Sequence, residues 1–382
     1  MPELLLPLDG GLARHRIERA CCYRPPLAPL ASRTIYAAAH VAANYNPQTG
    51  AEIDWEATLS FRRYLWSYGL GVAEAMDTAQ RGMGLNWDAA RELIRRSLEE
   101  ARSCGGLIAC GAGTDQLADN QPASLEEVIA AYEEQCGWVE RHDGRVVLMA
   151  SRALARTAAS ADDYHTVYSR ILSQLRQPAI LHWLGGMFDP QLAGYWGTHD
   201  LDRAMETFLC LVRDHAARLD GVKISLLDDQ REIEMRRRLR PGIRVYTGDD
   251  FHYDALIRGD GSHYSHALLG AFDAIAPAAS AAVQALDGNC VEEYDRILGL
   301  TLPLARHIFE HPTYLYKAGL AFLAYLNGHQ KHFRLLGGLE NARDIVHLSK
   351  ILVLAEQAGI LLDPDLACQR MQAVLDAAGI AR

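Results

Sequence analysis

From Thr34 onward the chain alternates short apolar runs of β character with longer stretches of helical periodicity, and this alternation constrains the fold more than any other feature. Eight runs can be counted, at 34–39, 71–76, 106–110, 145–150, 178–183, 221–225, 243–247 and 267–275. Strands separated by helices are the signature of parallel βα units, because a parallel pair needs a long crossover. Eight such units close economically into an α/β fold, a (β/α)8 TIM barrel, whose right-handed crossovers leave no sheet edge exposed. The competing solution is an open doubly wound sheet. It would carry a Gly-rich turn after its first strand, and Gly82-Met83-Gly84 and Gly111-Ala112-Gly113 do not complete one.

At 382 residues the chain exceeds a bare barrel by roughly 100 residues, on a typical barrel size of about 250. The reading is an N-terminal arm at 1–31, a barrel at 32–285 and a C-terminal helical region at 286–382. The arm is too short to bury its own core and is expected to wrap on the main domain. After Leu286 the β-like runs stop, and helices are expected near 291–298, 314–326, 341–357 and 364–378. Helix starts are signalled by Asn86 before Trp87, by the capping boxes Ser124-Leu125-Glu126-Glu127 and Asn289-Cys290-Val291-Glu292, and by Asp200, which heads a helix over 201–218.

A net charge of −10 offers no footprint for nucleic acid, and the most apolar window, 267–286, is interrupted by Asp273, Pro277, Ser280 and Gln284, so no membrane span is expected. The eight cysteines lack any CxxC pair and read as free thiols of a reducing compartment, while the N-terminus lacks a signal-peptide pattern. A cytoplasmic protein is expected, with a small-molecule partner and neither nucleic acid nor membrane.

The sixth run, Leu219-Asp220-Gly221-Val222-Lys223-Ile224-Ser225, carries a lysine where an apolar residue would be ordinary. Alternation of strand side chains turns Lys223 and Ser225 into the barrel and Val222 and Ile224 toward the helices. A desolvated lysine loses basicity, and a neutral amine can attack a carbonyl to form a Schiff base. Catalytic groups of TIM barrels sit where strands end, and these ends are unusually polar. Strand one leads to His40; strand two carries Glu74 and runs into Asp77 and Thr78; strand three leads to Asp115. Strand four ends at Ser151 and Arg152, strand five at His182, strand six at Lys223 and Ser225, and strand seven at Thr247 and Asp249. Seven polar ends converging on one face make a site. His40, Glu74, Asp115 and His182 also have the side-chain types of a metal centre, but no local ligand spacing supports one.

The lysine strand resembles that of the dihydrodipicolinate synthase and N-acetylneuraminate lyase family of class I aldolases. Gly221-Val222-Lys223 is similar to the family's Schiff-base run, Thr247-Gly248-Asp249-Asp250 to its seventh strand, and residues 270–277 to its eighth. Pro178-Ala-Ile-Leu-His182 resembles the fifth strand, and Tyr316-Lys317-Ala318 the C-terminal lysine helix. The resemblance implies a Schiff-base lyase, an aldolase or hydro-lyase with Lys223 as the imine-forming residue, no cofactor, no metal and a homo-oligomeric state. Two departures shift the expected chemistry. His182 stands where the family has a proton-relaying tyrosine and is expected to move protons. The family's carboxylate-holding loop is replaced by Ala75-Met76-Asp77-Thr78-Ala79, which disfavours an anionic donor. The expected substrate is a neutral, hydroxyl-rich, sugar-derived keto compound held by His40, Glu74, Asp77, Thr78, Asp115, Ser151, Arg152, Ser225, Thr247 and Asp249. A metal-assisted sugar isomerase or aldolase and a non-catalytic ligand-binding barrel are the competing functions.

Overall fold

The computed structural model describes residues 3–48, 50–118 and 121–380. In chain order, a hairpin of β1 (Glu3–Leu8) and β2 (Gly11–Arg16) precedes the first barrel strand, β3 (Ile35–Ala38). A second hairpin, β4 (Ala43–Asn46) and β5 (Gly50–Ile53), leads to α1 (Trp55–Ser67), β6 (Gly71–Glu74), α2 (Trp87–Cys104), β7 (Ile108–Ala112), α3 (Leu125–Arg141) and β8 (Arg145–Leu148). Then come α4 (Arg152–Thr157), α5 (Ala161–Gln174), β9 (Ala179–Leu184), α6 (Leu201–Asp214), β10 (Leu219–Ser225), α7 (Asp229–Arg238), β11 (Arg244–Thr247), α8 (Tyr253–Arg258) and β12 (His266–Leu269). The chain ends in α9 (Ala271–Asp287), α10 (Val291–Ile308), α11 (Tyr316–Leu326), α12 (Ile345–Gln357) and α13 (Pro364–Ala377).

Strands β3, β6, β7, β8, β9, β10, β11 and β12 pair in that order, all parallel, and β12 closes on β3. The TIM barrel read from the alternation is therefore the fold. Its interior is filled by Tyr36, Ala38, Ala73, Ala109, Val147, Ile180, Tyr246 and Leu268, while the alternate residues of each strand pack against the helices. Tyrosines are admitted because small residues face them: a Cβ on Gly71 would lie 2.5 Å from the Tyr36 ring.

The bottom of the barrel, where strands begin, is closed by charge. The pairing of β10 with β9 slips in register between Leu219 and Gly221, at Asp220. The Asp220 carboxylate takes a 2.6 Å hydrogen bond from Tyr246 and lies 3.1 Å and 3.3 Å from the guanidinium nitrogens of Arg244 and Arg145.

Several boundaries differ from the sequence reading. The run at 267–275 splits: the strand ends at Leu269, and α9 begins at Ala271 because its alanine-rich sequence favours helix, with non-helical torsions at Ile275 just ahead of Pro277. The helix expected over 201–218 stops at Asp214, capped at its start by Asp200 as anticipated, and a short 3-10 turn over Ala216–Arg218 leads directly into β10. Asn289 does not cap α10. It takes a left-handed conformation with φ of 56°, which asparagine tolerates, and Cys290 becomes the capping position. Asn86 and Ser124 cap α2 and α3 as read.

The N-terminal arm binds more than the barrel. Its β1–β2 hairpin packs on α12 and α13, with Leu4 and Leu6 buried and His15 Nε2 2.7 Å from the Glu356 carboxylate. Further on, the backbone N–H groups of Ala31 and Ser32 bond the Asp287 carboxylate at the end of α9. No helix among the described residues is long and apolar enough to cross a membrane.

Candidate active site

Lys223 faces inward on β10, in register with His182 of β9 and Tyr246 of β11, and is 6% exposed. Its stem lies along Gly248, where a Cβ would come within 2.9 Å of Lys223 Cε and would collide with Ser225 Oγ. Glycine at 248 is what leaves room for the lysine. The amine sits in a narrow recess of about 20 Å³ whose walls include Asp77, Thr78, Ser225, Asp250, Phe309 and Tyr316. Among the described residues no hydrogen bond or ion pair ends on Lys223 Nζ. Burial lowers its pKa, and the opposing pull comes from the Asp77 and Asp250 carboxylates at longer range.

Asp250 is the complementary group. Burial pushes its pKa up to about 7, against the hydrogen bond from the Ala271 backbone N–H at 2.8 Å and the charge of Lys223. Its place follows from α9 beginning immediately beyond β12, so that the first amide of that helix meets the carboxylate. Thr78 and Tyr316 share a hydrogen bond of 3.0 Å across the recess, and Phe309 stacks on Tyr316 with ring centroids 4.4 Å apart. The C-terminal region thus supplies one wall of the site.

The recess meets a wider cavity of about 250 Å³, with Asp77 and Leu184 lining both. This outer chamber is bordered by Arg81, Asp115, Ser151, Arg152 and Asp189. Its guanidinium groups are engaged. Arg81 Nε donates to Asp115 at 2.8 Å and Arg152 Nε to Asp189 at 2.6 Å. Burial would raise the Asp115 carboxyl, but the Arg81 charge and hydrogen bonds from Arg81 and Gln135 hold it below its ordinary value. Ser151 Oγ shares a 2.6 Å hydrogen bond with Thr114 and accepts from the Leu154 N–H, capping α4.

The loop carrying Asp77 and Arg81 is braced from outside. Gly337 N–H donates to Gln80 at 3.2 Å, and the two chains cross at glycines: a Cβ on Gly84, whose φ is +139°, would lie 2.8 Å from the Leu336 carbonyl carbon.

Of the residues singled out in the sequence, Lys223, Asp77, Thr78, Ser225, Asp115, Ser151 and Arg152 meet in these two connected spaces. Five do not line them. His182 is wholly buried behind Ser225, with Nε2 3.1 Å from Ser225 Oγ and Nδ1 unpartnered; burial first, and Lys223 second, hold its pKa well below the ordinary value, so it is neutral. His40 lies 2.9 Å from the Asp273 carboxylate and packs at a tilt against Phe61. Glu74 faces α1, where Arg62 grips both its oxygens at 2.9 Å. Thr247 faces α7 and donates to Glu232 at 2.9 Å; Asp249 accepts from the N–H groups of Phe251 and His252. The reason is strand alternation: Glu74 and Thr247 occupy the outward positions of β6 and β11. The quartet His40, Glu74, Asp115 and His182 does not come together as one group. Each is committed to a different partner, and the groups of ligand type that do come together among the described residues are His165, Cys210, Asp214 and His307, Glu310, His347.

Sequence reasoning left Asp250, Phe309, Tyr316 and Lys317 out of the site. Lys317 is 4% exposed, and among the described residues its Nζ donates only to the Tyr314 carbonyl, at 3.3 Å; burial lowers its pKa to about 8, against the charges of Asp77 and Asp189.

A family model described as "Protein of unknown function (DUF993)" matches residues 4–380. No curated protein matches the chain. Solved structures do. A monomeric dihydrodipicolinate synthase variant is 14% identical, with 88% of this chain and 100% of that one covered and a TM-score of 0.64. Dihydrodipicolinate synthase from Thermotoga maritima is 14% identical over 91% of this chain and 99% of its own, with a TM-score of 0.60. YagE, an E. coli K12 prophage protein of the dihydrodipicolinic acid synthase family solved in complex with pyruvate, is 12% identical over 91% and 99%, with a TM-score of 0.63. At these identities the likeness is one of fold, and it bears out at that level the resemblance read from the lysine strand.

Proposed function

The chain belongs to the DUF993 family and has the fold of the dihydrodipicolinate synthase family, and from that premise we propose that it is a Schiff-base-forming lyase acting on a sugar-derived keto compound. The observation that carries the reading is Lys223: a buried amine of lowered pKa, free of hydrogen bonds among the described residues, at the closed end of a cavity that opens toward the mouth. Burying an unpaired ammonium costs folding free energy, and the fold gains no ion pair from it. Lysine usage supports the same reading. Only four of the 38 lysine and arginine residues are lysines, and two of these, Lys223 and Lys317, are buried here. Arginine does not deprotonate, so an amine is needed only where a neutral nitrogen is used.

In the proposed sequence the neutral Lys223 amine adds to the substrate carbonyl, forming a C–N bond and a carbinolamine. Asp250, protonated near neutrality, donates a proton to the departing hydroxyl, which leaves as water. The resulting iminium takes up the electron pair of the adjacent C–C bond while the Asp250 carboxylate removes the hydroxyl proton of the departing fragment, which leaves as a carbonyl compound. Asp250 then returns that proton to the enamine carbon, and water addition to the iminium so formed releases the second product and the free amine. His182 takes part through Ser225: with Nδ1 unpartnered, the favoured tautomer donates from Nε2 to Ser225 Oγ and turns the serine proton into the recess. In the outer chamber the two arginines are already paired with carboxylates, so the wall offers alternating donors and acceptors suited to hydroxyl groups.

The test is borohydride trapping with a panel of carbonyl compounds, read by mass spectrometry. Uncharged keto sugars are expected to leave an adduct on the Lys223 peptide more efficiently than pyruvate or 2-keto-3-deoxy acids. Selective trapping of pyruvate would overturn the substrate class, and absence of any adduct on Lys223 across the panel would overturn the chemistry.

A further inference from the structure

A second cavity lies away from the barrel mouth, in the C-terminal region between the end of α11, the segment after it, α12 and α13; it measures about 540 Å³. That volume falls within the range of small-molecule sites, about 300–1,000 Å³. Its walls divide by chemistry. Ile345, Leu348 and Val374 offer an apolar surface, and the Phe333 ring stands at its edge, packed on Phe322 with centroids 5.2 Å apart. Opposite stand cations. Lys331 is exposed and, among the described residues, makes no ion pair; Arg343 is fixed by hydrogen bonds to the carbonyls of Glu310, His311 and Pro312, and the Glu310 and Asp344 carboxylates, which are not among the cavity walls, act on its charge. Arg334 also borders the cavity, and the one carboxylate there, Glu340, is bound to it at 2.7 Å. Two positive charges therefore face the space without an acidic partner in its walls, in a chain whose net charge is −10.

We propose that this cavity binds a small amphiphilic anion, with a phosphate, sulfate or carboxylate at Lys331 and Arg343 and a flat apolar body on Phe333, Ile345 and Leu348. The apolar wall and the cationic wall act on opposite ends of one molecule, so neither half alone should bind well. A guanidinium held rigid by three carbonyls is preorganised for an anion, while a lysine on a flexible stem closes over it. The site is distinct from the barrel mouth and stands whether or not the Schiff-base reading does.

The probe is phenyl phosphate, compared by isothermal calorimetry with inorganic phosphate and with benzyl alcohol on the full-length protein. Phenyl phosphate is expected to bind with one-to-one stoichiometry, about 10-fold or more tighter than either half. Lys331→Glu should weaken it by about 10-fold or more, and Phe333→Ala should reduce the advantage over inorganic phosphate, while Lys350→Glu, an exposed control, changes nothing. Thermal melting checks that each variant is folded. Equal binding of phosphate and phenyl phosphate, or unchanged binding by Lys331→Glu, would overturn the proposal. So would a change in sedimentation coefficient of the ligand-free Lys331→Glu protein, which would mean that a second copy of the chain covers the cavity.

Discussion

The two ends of the barrel bury charge in opposite ways, and strand β10 carries the key residue of both. At the bottom, Asp220 is answered by Arg145, Arg244 and the Tyr246 hydroxyl within 3.3 Å. At the top, three residues along the same strand, Lys223 is buried more deeply than the half-buried Asp220, yet its amine makes no hydrogen bond among the described residues, and its carboxylate neighbours act from a distance. A charge that is paired closes a structure, whereas one left unpaired in a cavity is held at a cost and remains available to a ligand. On the proposed function, the first is a plug and the second a reagent.

Lys223→Met should produce the largest effect, removing borohydride trapping and lowering turnover by about 10³-fold or more, while the melting temperature holds or rises because an unpaired buried amine is gone. A variant that melts much earlier would place Lys223 among the structural charges and erase the contrast. Asp250→Asn comes next. Loss of the proton donor should cost about 10²- to 10⁴-fold in turnover. Because burial raises Asp250 to about 7, the wild-type rate should fall as pH rises through that value, and the asparagine variant should lose that limb of the pH profile. At the other end, Asp220→Asn should reverse the pattern: trapping at Lys223 persists, and stability falls by about 1–3 kcal/mol in denaturant titrations as the arginines lose their partner. The smallest effect belongs to Glu232, outside both ends, which burial raises from 4.5 to about 8. Its folded form binds a proton more tightly than its unfolded form, so its contribution is fully present below pH 4.5 and lost as pH rises through about 8. Glu232→Gln should flatten the decline in melting temperature over that window.

The barrel and the position of Lys223 were legible because both rest on periodicities the sequence carries directly. Each strand is an apolar run bounded by helix, and Lys223 breaks one of them. The polar strand ends were legible as a group but not by side. Glu74 and Thr247 stand one position out of phase with the inward Ala73 and Tyr246, and alternation applied strand by strand would have turned them to the helices. Asp249 and Asp250 are consecutive, so a choice between them needed the inward phase of β11, which Gly248 and Tyr246 define. Phe309 and Tyr316 could not be placed this way, because no strand period fixes where a C-terminal helix lands on the mouth. Lys317 had a usable signal in the scarcity of lysine: in a chain where only four of the 38 lysine and arginine residues are lysines, a lysine inside an apolar helix is conspicuous.

The docking of β1 and β2 on α12 and α13 has a consequence for how the protein is made. β1 and β2 are synthesised before the barrel and their partners α12 and α13 after it, and the recess around Lys223 takes its wall from Phe309 and Tyr316, which also follow the barrel. A nascent chain can close the barrel after β12, but the Lys223 amine then lacks the aromatic wall and the Gly337 brace on the loop of Asp77 and Arg81. Completion of the recess is thereby tied to synthesis of the C-terminal helices, and products truncated before them would carry a barrel without an organised amine.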